Sequence, residues 1–225
     1  MPDGIALVSH YDSVPHASGA LDDGIGVAVS LEAARRLSAL ALRHSIYVLV
    51  TDAEEVGLMG ARALVEDPDV RTNVRAFLNF DGTGASGPGL LFQAGPGLGA
   101  PLIAWAAGAS RPEGGSFSLE IYRRLPNDTD FTVLATTGAS GLNFAPVGDS
   151  YAYHTDRDQP VRVDDFTLRH ETENAVSTVL ALDATSVAAE DEVATYYALA
   201  GRRGVAVLVP SVACAVPPLT RSRPP

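Results

Sequence analysis

A three-layer α/β/α sandwich built on a mostly parallel mixed sheet is the fold that this 225-residue sequence predicts. Three observations point to it: short apolar runs rich in β-branched residues, the continuity of those runs, and helical patterns lying between them. The runs are Ile5 to Ser9 (IALVS), Ile46 to Thr51 (IYVLVT) and Ala76 to Phe80 (AFLNF). Continuous rather than alternating, they read as strands buried on both faces of a sheet.

Between the first two runs, Gly24 to Leu42 has helical periodicity, and Gly57 to Glu66 follows the second. A late helix is expected from about Asp165 to Leu182. Asp164 and Asp165 stand where an N-cap belongs, and Leu168, Ala175, Val179 and Leu182 share one face. Leu90 to Gln93 and Gly141 to Ala145 are further strand candidates. The Gly82 to Gly89 stretch (GTGASGPG) reads as a loop, and with no Gly-Lys-Ser/Thr behind it, it is no phosphate cradle. No internal repeat is visible. The length fits one domain, residues 1–185, followed by a tail over 186–225.

Composition removes several chemistries. All 16 basic residues are Arg, so there is no Schiff-base lysine, no phosphate-loop lysine and no Ser-Lys hydrolase. With 27 acidic residues the net charge is −11 and there is no basic run, which argues against binding nucleic acid through its phosphates. The acid surplus suits either a solvated surface or a cation site. A single cysteine, Cys214, excludes an internal disulfide and a thiolate zinc cluster, and leaves the redox compartment open. There is no basic n-region followed by a long apolar stretch near Met1, hence no visible signal peptide. Gly204 to Leu219 is apolar, but it is short for a span and is broken by Pro210, Pro217 and Pro218.

Each main run ends in potential metal ligands: His10 and Asp12 after the first, Asp52, Glu54 and Glu55 after the second, Asp81 after the third. In open α/β sheets ligands gather outside the carboxyl ends of the strands, so these residues should converge on one rim. Asp22 and Asp23 stand on a Gly-rich turn, and Tyr153-His154-Thr155-Asp156 lies in a loop-rich stretch downstream. Singly, each has a plain reading: a lone histidine is usually structural, adjacent glutamates usually start a solvated helix, and Asp-Asp in a turn is usually a cap. Their ordered recurrence points instead to a catalytic site for zinc or another borderline divalent metal, ligated by imidazole and carboxylate. Two other motifs fail. His170-Glu171 begins like HExxH, but Asn174 replaces the second histidine; Gly138-Ala139-Ser140-Gly141 is followed by Leu142 and forms no nucleophile elbow.

The segments VSHYDSVP, SGALDDGIGVAVSLEAAR, VTDAEEVGLMGARALV, FLNFDGTGASGPGLLFQ, LPNDTDFTVL and YHTDRDQP together resemble the co-catalytic di-zinc exopeptidases, metallopeptidase family twenty-eight. The likeness runs from about Gly4 to about Leu182 and is strongest to the endoplasmic reticulum metallopeptidase and vacuolar membrane protease branch. It implies a zinc-exopeptidase-like fold with two Zn²⁺ ions: His10 and Asp81 on one, Glu55 and His154 on the other, Asp22 bridging both. Glu54 would be the general base. Two dications carry four positive charges, which three carboxylates and a bridging hydroxide neutralise. Water held between zincs about 3.5–4 Å apart becomes a nucleophile near neutral pH; Glu54 takes its proton and returns it to the leaving amine. The implied activity is aminopeptidase hydrolysis of peptide substrates.

Asp12, two residues after His10, is placed to accept the ring N–H and fix its tautomer. The resemblance further implies that Tyr153 donates to the oxyanion and that Asp130 sits on the substrate side. Two alternatives stay open: a carboxypeptidase-type exopeptidase on the same site, and a non-catalytic or unstable fragment of a membrane-anchored peptidase. Relatives in this branch carry a long part before the first histidine motif, which here begins at Val8, so an N-terminal part of the fold is expected to be missing, leaving a sheet edge unpaired. The resemblance also implies a membrane-associated or lumenal setting for the full-length relatives.

Overall fold

The computed structural model describes residues 3–95, 99–185, 193–199 and 202–207. In chain order the elements are β1 (Gly4–His10), α1 (Gly24–Leu37), β2 (Ser45–Thr51), α2 (Met59–Leu64), α3 (Pro68–Asn73), β3 (Val74–Phe80), β4 (Ser86–Gly95), α4 (Gly99–Gly108), β5 (Gly114–Gly115), α5 (Ser116–Tyr122), α6 (Asp130–Ala135), β6 (Ser140–Gly148), α7 (Asp165–Asp183), β7 (Val193–Leu199) and β8 (Arg202–Val207). The strands form one sheet in the order β2-β1-β3-β6-β4-β5-β7-β8. β1 runs parallel to β2 and β3, and β3 to β6, whereas β4 is antiparallel to β6. The result is the expected mixed, mostly parallel sheet between helical layers. β7 and β8 extend it within the stretch expected to be a tail.

Alternation along β1 shows why the central strands are apolar throughout. Ile5 and Leu7 point into a layer with Ile25 and Val29 of α1, Trp105 of α4 and Val179 of α7. Ala6 and Val8 point the other way, joining Phe77 with Ala61 of α2, Val70 of α3 and Phe131 of α6. Both faces are covered, so neither can be polar. Each fully buried Leu or Ile contributes about 1.5–3 kcal/mol to this core.

Several expectations need correction. β2 is a strand but not a doubly buried one: it lies at the sheet edge, with Ile46 to Leu49 only half-buried and Val50 exposed. The first helix stops at Leu37 rather than Leu42, because the Arg43 and His44 N–H groups are drawn to the Asp183 carboxylate at 2.9 Å, turning the chain into β2. The second covers only Met59–Leu64, residues 52–58 being used for a tight turn. The Gly82 to Gly89 loop ends early: Ser86 already pairs with Gly148, and irregular register between Ser86 and Gly89 absorbs the Gly-Pro-Gly sequence. α3 to α6 went unread, α4 because it is apolar all round and lacks an amphipathic stripe. Among the described residues no helix is long and apolar enough to cross a membrane. Cys214 and the apolar stretch beyond residue 207 lie outside the described residues.

Candidate metal centre

Because β1, β2, β3 and β6 are mutually parallel, the segments leaving their carboxyl ends emerge on one rim. Two groups of donors assemble there. His10, Glu54 and Asp81 bring one ligand atom each to within 4.8 Å of one another, and so do Asp22, Glu55 and His154. Asp22 joins the groups: its Oδ1 is 3.2 Å from His10 Nε2, and its Oδ2 is 3.0 Å from His154 Nε2, which also lies 3.0 Å from Glu55 Oε1.

Local backbone geometry presents these side chains. After β2 the chain doubles back: the Gly57 and Leu58 N–H groups donate to the Glu54 carbonyl at 3.0 and 2.8 Å, and Gly60 N–H to the Asp52 carbonyl at 2.8 Å. A Cβ on Gly60 would collide with the Asp52 backbone. The turn holds Ala53 at a left-handed φ of 57°, and His154 stands at φ 55°. Non-glycine residues seldom hold this conformation unless their surroundings impose it. On the third strand, Gly82 lets Asp81 approach the bridging loop, since a Cβ there would strike the Leu21 carbonyl.

Three further aspartates tie the donor-bearing segments together. Asp12, expected to accept the His10 ring N–H, places its backbone carbonyl 3.0 Å from His10 Nδ1, while its carboxylate accepts the Glu54 and Glu55 N–H groups at 2.9 and 3.2 Å. Its carboxylate still stands 3.5 Å from the ring nitrogen. Asp23, the N-cap of α1, accepts from His10 N–H at 3.2 Å, Gly26 N–H at 3.1 Å and Gly82 N–H at 3.1 Å. Asp158 binds the Leu21 N–H at 2.7 Å. Sequence reasoning had Asp23 only as a cap and gave Asp158 no role.

Tyr153 stacks on His154, with ring centroids 3.7 Å apart, and its hydroxyl accepts from Asn127 Nδ2 at 3.2 Å. Asp130, expected on the substrate side, is not among the residues lining the cavity beside the centre. It is buried at the start of α6, where one carboxylate oxygen accepts the Thr51 hydroxyl proton. The accessible side of the centre is instead a cavity of about 430 Å³ beside Asp81 and Tyr153, walled by Leu90, Phe92, Ile121, Tyr122, Leu125 and Val147.

The electrostatics of the two groups are those of crowded, buried carboxylates. Burial, reinforced by Asp81, pushes Glu54 up to about 9; burial and the Asp22 charge push Glu55 and Asp81 each up to about 7. Burial opposes charge on His10, but its contact with Asp22 and the charges of Asp23 and Asp81 prevail and push it up to about 12. Asp22 is held down: burial would raise it, yet the two imidazoles outweigh that. Asp22 Oδ2 and Glu55 Oε1 are buried without a hydrogen-bond partner, and both aim at His154 Nε2. Buried carboxylates crowded this way are paired or bind a metal, and convergent nitrogen and oxygen donors suit a borderline dication. The residues therefore fit a metal.

Residues 2–179 match Peptidase family M28. The chain is 32% identical over 159 residues to endoplasmic reticulum metallopeptidase 1 of Homo sapiens, covering 68% of this chain and 18% of that protein. It is 33% identical over 177 residues to the vacuolar membrane protease of Candida albicans (strain SC5314 / ATCC MYA-2876), covering 78% of this chain and 21% of that one. This chain thus spans about a fifth of the length of the curated relatives it matches. Among solved structures, a zinc aminopeptidase from Bacillus subtilis superposes with a TM-score of 0.61 at 22% identity, covering 79% of this chain and 45% of that one.

Proposed function

The chain belongs to peptidase family M28, and from that premise we propose that it is the catalytic part of a zinc-dependent aminopeptidase. The observation that carries the reading is the pair of donor groups linked by the Asp22 carboxylate, which faces His10 of one and His154 of the other, at the carboxyl ends of parallel strands, beside an apolar cavity. In this reading His10 and Asp81 would hold one zinc, Glu55 and His154 the other, and Asp22 would serve both. When bound, the zinc ions supply Lewis-acid polarisation of the scissile carbonyl and an acidified water.

The chain's own residues do the rest. Glu54 sits with His10 and Asp81 and is partly buried among carboxylates that raise its proton affinity, which suits a group that takes the attacking water's proton and hands it to the leaving amine. Tyr153, oriented by Asn127 and by stacking on His154, stands between the donors and the cavity, where its hydroxyl can donate to the carbonyl oxygen as negative charge develops. The cavity wall from Leu90, Phe92, Ile121 and Leu125 suits an uncharged, apolar side chain on the residue to be released. Peptides are then the substrates, and the relatives named for the endoplasmic reticulum and the vacuolar membrane support a membrane setting for the whole protein.

The test is hydrolysis of leucine p-nitroanilide by the zinc-titrated chain, beside its N-acetylated analogue and the Glu54→Gln variant. Activity that requires the free amine, saturates at two zincs and falls by about 10²–10⁴ in Glu54→Gln with both metals retained is the expected result. Equal turnover of the acetylated substrate, or an active Glu54→Gln enzyme, would overturn it.

A further inference from the structure

Asp158 lies four residues beyond His154 on the same loop and is fully shielded from solvent. Its carboxylate is absent from both donor groups. It spends its bonds on a segment 137 residues away: Oδ1 accepts the Leu21 N–H at 2.7 Å, and Oδ2 accepts the Asp22 N–H at 3.4 Å. Its backbone carbonyl accepts both the Ser18 N–H at 3.2 Å and the Ser18 hydroxyl at 2.5 Å. The two segments joined this way carry His154 and the bridging Asp22.

The loop needs such a tie. From Ser150 to Arg162 it contains only two short 3-10 turns, and most of its other hydrogen bonds stay inside it, as from Thr155 N–H to the Ala152 carbonyl and from Asp158 N–H to the Thr155 carbonyl. The His154 side chain is 35% exposed, sits at a left-handed φ outside any regular element, and stacks only on Tyr153 of the same loop, so its place relative to the Asp22 turn depends on where the loop is held. A buried charge satisfied only by backbone N–H groups of one loop is geometrically demanding, because losing that geometry strands the charge.

We propose that Asp158 is a positioning residue that clamps the His154 loop onto the Asp22 turn, and so sets the spacing of the Asp22, Glu55 and His154 donors. The inference rests on the metal reading given above. It predicts that the clamp tunes metal affinity without contacting metal, as partners behind a ligand do, at about 10–100-fold in binding.

The experiment is cobalt(II) titration of the purified chain by visible absorption, with zinc competition and thermal unfolding in parallel. Wild type is compared with Asp158→Ala, Asp158→Asn and Asp67→Ala. The last removes an aspartate that likewise accepts backbone N–H groups but only locally, the N-cap of α3, whose carboxylate accepts the Asp69 and Val70 N–H groups and which precedes the start of β3. Asp158→Ala should weaken at least one of two cobalt-binding steps by about 10–100-fold and alter the ligand-field spectrum. Asp158→Asn, which keeps one acceptor for Leu21 but faces the Asp22 N–H with a donor, should fall between it and wild type. Asp67→Ala should lower the melting temperature while leaving both binding steps and the spectrum unchanged. Wild type binding two cobalt ions and Asp158→Ala binding them equally well would overturn the clamp alone. Weakening that merely tracks melting temperature across all three variants would do the same. A wild-type chain that binds no cobalt would overturn the metal reading, and the clamp with it.

Discussion

The two halves of the sheet are built differently. In β2-β1-β3-β6 every neighbour is parallel, β1 keeps a seven-residue register with β2 from Gly4↔Ser45 to His10↔Thr51, and the register shift against β3, between Gly4 and Ile5, lies at the end of β1 away from His10. In β4-β5-β7-β8 the register slips twice between β4 and β6, β5 is only two glycines long, and antiparallel pairs dominate. The first half carries every candidate metal donor through the segments that leave its strands. The second half, with α5 and the segment after it, walls much of the cavity. The difference teaches a division of labour: donors that must meet within a few tenths of an ångström leave strands whose register is over-determined, whereas a pocket that need only be apolar tolerates bulges and short elements.

If that division is right, the largest losses come from the parallel half. Replacing Asp22 by Ala removes the side chain whose two carboxylate oxygens face one histidine of each donor group. Metal affinity is expected to drop by more than about 100-fold and turnover by at least about 10³, read by zinc calorimetry and steady-state kinetics. Retention of both metals would show that the groups do not depend on a shared ligand, and would break the comparison.

The next effect is in pH. Glu55 and Asp81 hold protons up to about 7, Glu54 to about 9, and His10 keeps its proton to about 12 in the metal-free chain. A dication must displace protons from the groups that bind it, so affinity rises with pH and each binding event releases protons. Calorimetry near pH 6.5 in two buffers of different ionisation enthalpy should give different apparent heats, and affinity should strengthen from pH 6 to pH 8. Buffer-independent heats with pH-independent affinity would mean that the donors are ionised before metal arrives.

A smaller change is expected from the pocket half. Ile121, 48% exposed on α5, lines the cavity without holding up the core. Ile121→Glu should lower kcat/KM for leucine p-nitroanilide by about 10–100-fold and raise that for arginine p-nitroanilide relative to it, with metal content unchanged. Equal loss on both substrates would place Ile121 outside the side-chain pocket.

The same asymmetry governs what could be read without coordinates. His10 and Asp81 follow continuous apolar runs at the ends of central strands, and Glu54 and Glu55 follow a third, so a sheet rule placed them on one rim. Local pattern also marked Asp23 as a cap. What stayed hidden depends on long-range geometry. The same apolar run makes a central or an edge strand, so β2 looked doubly buried; the Asp130 and Thr51 contact and the Asp158 and Leu21 contact link residues 79 and 137 apart. α5 (SFSLEIY) has no buried residue of its own, so no periodicity announced the helix that walls the pocket.

The effect that leaves metal binding and turnover untouched lies beneath the pocket half, at Glu171 of α7. It is 3% exposed, both carboxylate oxygens lack hydrogen-bond partners, and a Cβ on Gly89 of β4 would collide with it. Burial alone pushes it from 4.5 up to about 8. The sign follows from which state loses its proton first. Above pH 4.5 the unfolded chain ionises while the folded chain stays protonated, so stability falls as pH rises, by about 1.4 kcal/mol per unit, until the folded group also ionises near 8. Glu171→Gln removes that slope. Urea unfolding from pH 5 to pH 8 should therefore show the variant gaining on wild type steadily with pH while turnover per metal-loaded enzyme is unchanged. Parallel stability curves would mean that the Glu171 carboxyl finds a partner in solution, and that the irregular half of the sheet is as well satisfied as the regular one.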